Sequence, residues 1–500
     1  MRHRLIALVA WGALVCPDIG LAGQAAQNPN ELARLQYEFG LGLLQKQQFI
    51  EALKDFQAVV DSYPTSTVAA DALIEIARYH LEVARDAQAA QAATDIILKK
   101  YPSTAAAAAG HVLNGRIALA RGRTPADVNT ALASFERVRG LFPGSDVIPS
   151  SIYYAGEGLR VVRRYNEAIE QFRDVTLKYP GSVWAARSMV SAAICLTATG
   201  RAASAMDGLQ RVRVLFPDTP EAAVALNWNT ILYRLYVRPP AQPPYAYIVK
   251  MFGSPTGKFK DVTAVAVDRR DNILLAHKQG LAVFDGKGTL VKSVTAENPT
   301  AIAFGPLGQP LVARDNVLAQ DGGPPLGFAI PQPDGKANPI NDIAAVLMTS
   351  QGDWLVADRK AKAIQIFSAS GKYVKPFLSG QADRLALNAL DDVAILERDA
   401  KSVLVVSRDA KTIGRIQTRG AGYELDTPVD IAYDSLGHLY VLDRGKAAVY
   451  VFSPDLKLVT SFSIPEKSPG ALHKALALGL DSAARLYIFD DRSQHVQLYQ

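Results

Sequence analysis

An aromatic-proline dipeptide recurs through the first half of this chain, at Tyr63-Pro64, Tyr101-Pro102, Phe142-Pro143, Tyr179-Pro180 and Phe216-Pro217. The prolines are spaced by 38, 41, 37 and 37 residues. A fixed period of this size means stacked supersecondary units, because one unit alone cannot bury its apolar face. Ala52, Ala90, Ala131, Ala168 and Ala205 each lie twelve residues before their proline. Phe56, Thr94, Phe135, Phe172 and Leu209 follow those alanines by four residues, and Phe49, Ala87, Val128, Tyr165 and Ala202 precede them by three. These offsets mark one face of an α-helix, and the proline ends each helix because it has no N–H to continue the hydrogen bonding. A small residue at the alanine position lets two antiparallel helices approach closely.

The pattern resembles the tetratricopeptide repeat. Repeat four carries the resemblance best: Tyr153-Tyr154-Ala155-Gly156, then Tyr165, Ala168, Phe172 and Pro180. The Tyr-Pro-x-Ser endings are similar to those of exported envelope proteins, namely the barrel-assembly lipoprotein and the Tol-Pal coordinator. Residues 30–236 are therefore expected to form about five repeats and a terminal helix (Pro220 to Tyr236) that covers the last apolar face. The resemblance implies a groove for a peptide or protein partner. Arg34, Tyr37, Tyr79, Tyr153, Glu157 and Arg160 fall at matching positions.

A proline-rich segment, residues 237–246, follows. Four of the seven residues from Arg238 to Pro244 are proline, so it cannot be helical and is expected to be an extended spacer. Beyond it, short apolar strands alternate with polar turns. The second strands of six such units are expected to end at His277, Arg314, Asp358, Ser407, Asp443 and Asp490. Asp434-Ser435-Leu436-Gly437 through Asp443 and its echo Asp481 through Asp490 are the clearest units. Residues 247–500 resemble a six-bladed NHL-type propeller, so the expected fold is a multidomain chain, an all-α solenoid followed by an all-β propeller. The last unit ends at Gln500 after its third strand, and an open edge invites aggregation. Tyr247 to Phe252 is expected to supply the missing fourth strand and close the ring.

The N-terminus reads as a leader. Met1-Arg2-His3-Arg4 is basic, Leu5 to Cys16 is apolar apart from one glycine, and small residues follow to Ala25. This predicts a signal segment over 1–22 and export, to the periplasm or as a secreted protein. Val15 stands where acylation motifs carry a small residue, so no lipid anchor is expected at Cys16. Cys195 lies on an apolar helical stretch and reads as a buried small hydrophobe. No later stretch is apolar for long enough to cross a bilayer. The net charge of +6 is shared between the halves, with 23 Lys+Arg against 20 Asp+Glu in 30–238 and 29 against 27 in 239–500. That dispersion argues against a nucleic-acid partner.

Asp358, Asp443 and Asp490 are expected to cap backbone amides at strand ends. Asp342, Asp392 and Asp430 precede Ile-Ala or Val-Ala steps and are expected at equivalent inner-strand positions of blades three, four and five. Ala264, Ala301 and Ala477 occupy the corresponding places in the other blades. Converging carboxylates repel one another, and a hard cation such as Ca²⁺ would relieve this. Propeller hydrolases and lyases of the lactonase type use axial metals, so an enzyme with a docking arm is the alternative reading. No nucleophile motif or P-loop is present. The expectation is therefore a non-enzymatic scaffold with protein or peptide partners in the cell envelope and no cofactor.

Overall fold

The computed structural model describes residues 28–238, 243–250, 259, 261–306, 308–319, 323–464 and 466–500. The leader with Cys16, residues 239–242 of the proline-rich segment, and Met251-Phe252 lie outside the described residues. The chain forms two compact units: residues up to 117 with 140–145, and residues 118–139 with 146–500. The division falls inside the solenoid rather than at the proline-rich segment where composition changes.

Eleven α-helices come first among the described residues: α1 (Pro29–Gln45) packs on α2 (Phe49–Ser62), α3 (Ala69–Arg78) on α4 (Ala87–Lys100), α7 (Ile148–Val161) on α8 (Tyr165–Lys178) and α9 (Val183–Ala198) on α10 (Ala202–Leu215), with α5 (Ala105–Arg121) and α6 (Pro125–Leu141) between the second and third of these pairs in the chain. The terminal helix α11 (Pro220–Leu232) follows, and short π-helical turns extend α3 through Val83 and α11 through Val237. Local chemistry starts these helices where the sequence allows. The Asn28 side chain accepts the Asn30 amide, Asp86 accepts those of Gln88 and Ala89, and Ser182 accepts that of Trp184. The five recurring alanines are fully buried. Opposite them the partner helix must also be small. A Cβ on Gly40 would sit 2.7 Å from the Phe56 ring, and one on Gly156 would sit 2.6 Å from the Phe172 ring. Cys195 packs in the same layer as Leu159, Ala168 and Phe172.

The turn inside each helix pair contains one residue in the left-handed region: Gln47, Arg85, Arg123, Arg163 and Gly200, with φ of 59°, 54°, 82°, 63° and 74°. Only the fifth repeat uses glycine, the residue that adopts this conformation without steric cost.

Six four-stranded antiparallel sheets follow, and each is one blade. The ring closes as expected. Tyr247–Lys250 pairs antiparallel with His495–Tyr499, and Ala246 and Gln500 exchange amide-to-carbonyl bonds of 3.0 Å. Five second strands end where the sequence pattern placed them. Blade four differs by one strand. Its inner strand is Arg384–Leu387, its second strand Val393–Glu397 and its third Ser402–Val406. Ser407 therefore follows a third strand. The strand-end aspartates cap backbone as expected: Asp443 accepts the amides of Asp426, Thr427 and Lys446, and Asp490 accepts those of His473, Lys474, Arg492 and Ser493. Asp358 accepts the amides of Lys360 and Ala361.

Two outcomes check the solenoid packing. Gly156→Val overpacks against Phe172 and should cost about 1–3 kcal/mol, read as a lowered urea midpoint. Burial pushes the Cys195 thiol up to about 12. Iodoacetamide at about pH 8 should therefore leave the Cys195 peptide unmodified in the native protein and alkylate it after unfolding. Rapid native labelling would contradict the packing.

Candidate functional site

Strand register defines the axis of the propeller. In each blade one inner-strand residue faces the residue just before the end of the second strand. These positions are Ala264, Ala301, Ala345, Arg384, Asp430 and Ala477, facing Ala276, Ala313, Ala357, Leu396, Leu442 and Phe489. The ring is thus four alanines and one ion pair from adjacent blades, with Arg384 Nε 3.6 Å from Asp430 Oδ1. Small side chains are needed because six strands converge there. Asp430 also accepts the Ile431 and Leu478 amides at 3.0 and 2.8 Å. Burial raises its pKa above the usual carboxylate range, a shift that Arg384 opposes. Arg384 Nη2 reaches the opposite blade and donates to the Thr263 carbonyl at 2.8 Å.

The three carboxylates expected to converge do not. Asp430 alone occupies the axial ring. Asp342 precedes its inner strand and makes a bidentate pair with Arg359 at 2.8 and 3.0 Å. Asp392 lies in the turn between the first and second strands of blade four, at the far end of the blade from Arg384. Asp391-Asp392-Val393-Ala394 reads like the start of an inner strand, but the true inner strand, Arg384–Leu387, precedes it and lacks that signature. No group of three or more His, Cys, Asp or Glu side chains gathers as a metal site among the described residues. The residues present do not fit an axial Ca²⁺.

Asp391 and Asp392 are instead anchors for the helices of the larger unit. Arg163 Nη2 is 2.6 Å from Asp392 Oδ2, and Arg123 Nη1 is 3.4 Å from Asp391 Oδ2. Both carboxylates are buried, and Asn388 and Ser350 supply further hydrogen bonds. Both arginines are the left-handed residues of their repeats. Further along, Arg234 donates to the Ala483 and Ala484 carbonyls and lies 4.7 Å over the Tyr245 ring. The Tyr245 hydroxyl is 2.9 Å from the Tyr440 hydroxyl and donates to Ala484 at 2.9 Å. The fully buried His438 bridges Asp434 and the Tyr236 hydroxyl at 2.8 and 2.9 Å. One apolar cluster runs from Met189 and Ala193 through Leu235 and Tyr245 to Leu436 and Tyr440. The end of the proline-rich segment is therefore docked, not a free spacer.

The groove residues separate into three settings. Arg34 is exposed and lies 3.9 Å from Glu38, while Tyr37 packs on Phe56 and Tyr79 sits edge-on to His80 in the π turn. Burial, with Glu75 and Asp71 nearby, pushes the Tyr37 hydroxyl up to about 12. Tyr153 belongs to the inter-helix core, against Tyr154, Phe172 and Trp184. Glu157 and Arg160 pair with each other at 2.7 Å, and Arg160 lines a small cavity with Arg163 and the blade turns at Leu390 and Leu436. Arg160 thus faces this chain's own propeller. Sequence reasoning passes over Arg123, Arg163, Asp391 and His438. Superimposing the repeat turns would flag the two arginines, since each stands where repeat five has Gly200.

At the opposite end of the blades the inner strands open into a cavity of about 700 Å³, lined by Arg359, Arg384, Arg398, Lys401 and Arg444, with Asp399 and Asp426 as its acidic members. Behind Arg384 the axis widens again to about 300 Å³ of largely apolar wall, including Ala264, Ala301 and Met348.

No family model matches the chain, and no curated protein does. Among solved structures, a virginiamycin B lyase from Staphylococcus aureus is similar at 12% identity and TM-score 0.35, over 49% of this chain and 81% of its own. A gluconolactonase from Xanthomonas campestris is similar at 14% and 0.34, over 48% and 87%. A thermophilic TPR protein from Thermus thermophilus is similar at 13% and 0.33, over 39% and 98%. The fold assignment rests on the helix pairing and strand order above. No described helix is long and apolar enough to cross a membrane.

Replacing Arg163 by glycine removes the partner of buried Asp392 while easing the left-handed backbone. Any loss of stability then comes from the ion pair. We expect a net loss of about 1–3 kcal/mol in denaturant unfolding, and no loss would show the pair to be incidental.

Proposed function

We propose that this protein is an exported, non-enzymatic interaction adaptor of the bacterial cell envelope. It binds a peptide or protein segment on its helical repeats and a second partner on its propeller. One observation carries the reading: the helices of the larger unit are joined to the propeller turns by buried charge pairs. An enzyme with a tethered arm needs only a flexible connection. Here Arg123, Arg163, Arg234 and Tyr236 each commit to a blade turn, which ties the later helical repeats to the propeller within the larger unit. Solvent-facing residues of the first repeats supply contact chemistry, since Leu35 and Phe39 beside Arg34 and Tyr37 are exposed by 58% and 64%. Large apolar area with an arginine at its edge is the composition of binding hot spots. The leader reading places this platform outside the cytoplasm.

Photo-crosslinking residues introduced at Tyr37 and Tyr79 in the full chain, followed by mass spectrometry from intact cells, test the proposal. A recurring envelope protein captured at both positions is expected. Stoichiometric metal in the purified protein, together with a lactone turnover that Asp430→Ala abolishes, would overturn it in favour of a propeller hydrolase.

A further inference from the structure

The basic cavity at the propeller mouth is not explained by the adaptor reading and stands independently of it. Five cations line it, and three are already neutralised. Arg359 pairs with Asp342, Arg384 with Asp430 at 3.6 Å, and Lys401 with Asp426 at 3.2 Å. Arg398 and Arg444 make no ion pair among the described residues. Arg398 Nη2 donates to the Val429 carbonyl at 2.9 Å, yet its Nε is buried without a hydrogen-bond partner. Burial, and after it the charge of Arg384, makes the Arg398 guanidinium less willing to hold its proton than a free arginine. Asp383 and Asp430 offset part of that cost, but the enclosed Nε keeps an unused donor that an added anion can complete.

We propose that this mouth binds a small multivalent anion, a phosphate monoester or a di- or tricarboxylate, through Arg398 and Arg444. A guanidinium presents its N–H groups as a planar fork that matches two oxygens of one carboxylate or phosphoryl group. Two such groups without carboxylates of their own call for a ligand with more than one charge. The cavity volume of about 700 Å³ falls in the range of small-molecule sites. Arg384, bonded across the axis to Thr263, forms the floor. The anion therefore sits in the mouth and not in the apolar axial space behind it. Desolvation at the rim strengthens each charge-assisted bond relative to a fully exposed arginine.

Calorimetric titration of the full chain with citrate and with inorganic phosphate, at ionic strength matched by sodium chloride, tests the site. At least one anion should bind saturably at a one-to-one ratio, and the tighter one identifies the class. Arg398→Gln and Arg444→Gln should each weaken it by about tenfold or more. Lys336→Gln, at an exposed hairpin outside the cavity, should leave it unchanged. Unchanged unfolding midpoints without anion show that the variants still fold; if Arg398→Gln does not, Arg444→Gln decides. Binding absent for both anions, or equally strong in both arginine variants, would overturn the proposal.

Discussion

A radial array of sheets has no stable stopping point short of closure, because every unfinished blade leaves a row of unpaired amides and carbonyls. In this chain closure falls to Tyr247–Lys250, which completes the blade begun by Ala475–Leu480. Much else follows from that pairing. The closing strand comes ten residues after the last helical turn ends at Val237, so α11 must lie beside the final blades. Tyr245, just before the strand, is fully buried against Phe462 and Tyr440 with Arg234 over its ring. The same requirement that removes an open edge thus seats the end of the solenoid on the propeller turns.

Once seated, the helices meet a surface of loop backbone and carboxylates, and the chain answers with arginine. Arg123 and Arg163 occupy left-handed turn positions where a side chain costs about 1 kcal/mol relative to glycine. Glycine has no side chain to reach Asp391 or Asp392, so the strained backbone is retained for the pairing. These contacts also explain why the compact units divide within the solenoid. Residues of α9, α10 and α11 share a core with the blades, and the first helices have their own, around Phe56, Leu73 and Ile97.

Docking on one end of the blades leaves the chemistry of the other end to be decided by different residues. At the axis, six converging strands force small side chains, and four of six positions are alanine. The exceptions, Arg384 and Asp430, neutralise each other where neither would be tolerated alone. That pair lies between the mouth and the axial space, and Arg398 and Arg444 line the mouth outside any ion pair among the described residues.

Helix pairing, repeat number, blade number and the closing strand are all legible in the residues, because each is set by a short period that repeats. The spacing of aromatic-proline pairs, the buried alanines and the strand-end aspartates are local signals, and local sterics and hydrogen bonding enforce them wherever they occur. Blade four departs from its sequence pattern by one strand because its inner strand, Arg384–Leu387, begins with an arginine where the other inner strands begin with an apolar residue, while the turn Asn388–Asp392 mimics a strand entry. The site is far less legible. Asp391 and Arg123 are 268 residues apart, and nothing near either records the other. Sequence by itself determined which elements form and how many, since those depend on neighbours along the chain. Tertiary structure alone decided which charges meet, because a carboxylate is a turn cap, an anchor for a helix or an axial counter-ion only according to what folding brings within hydrogen-bonding reach.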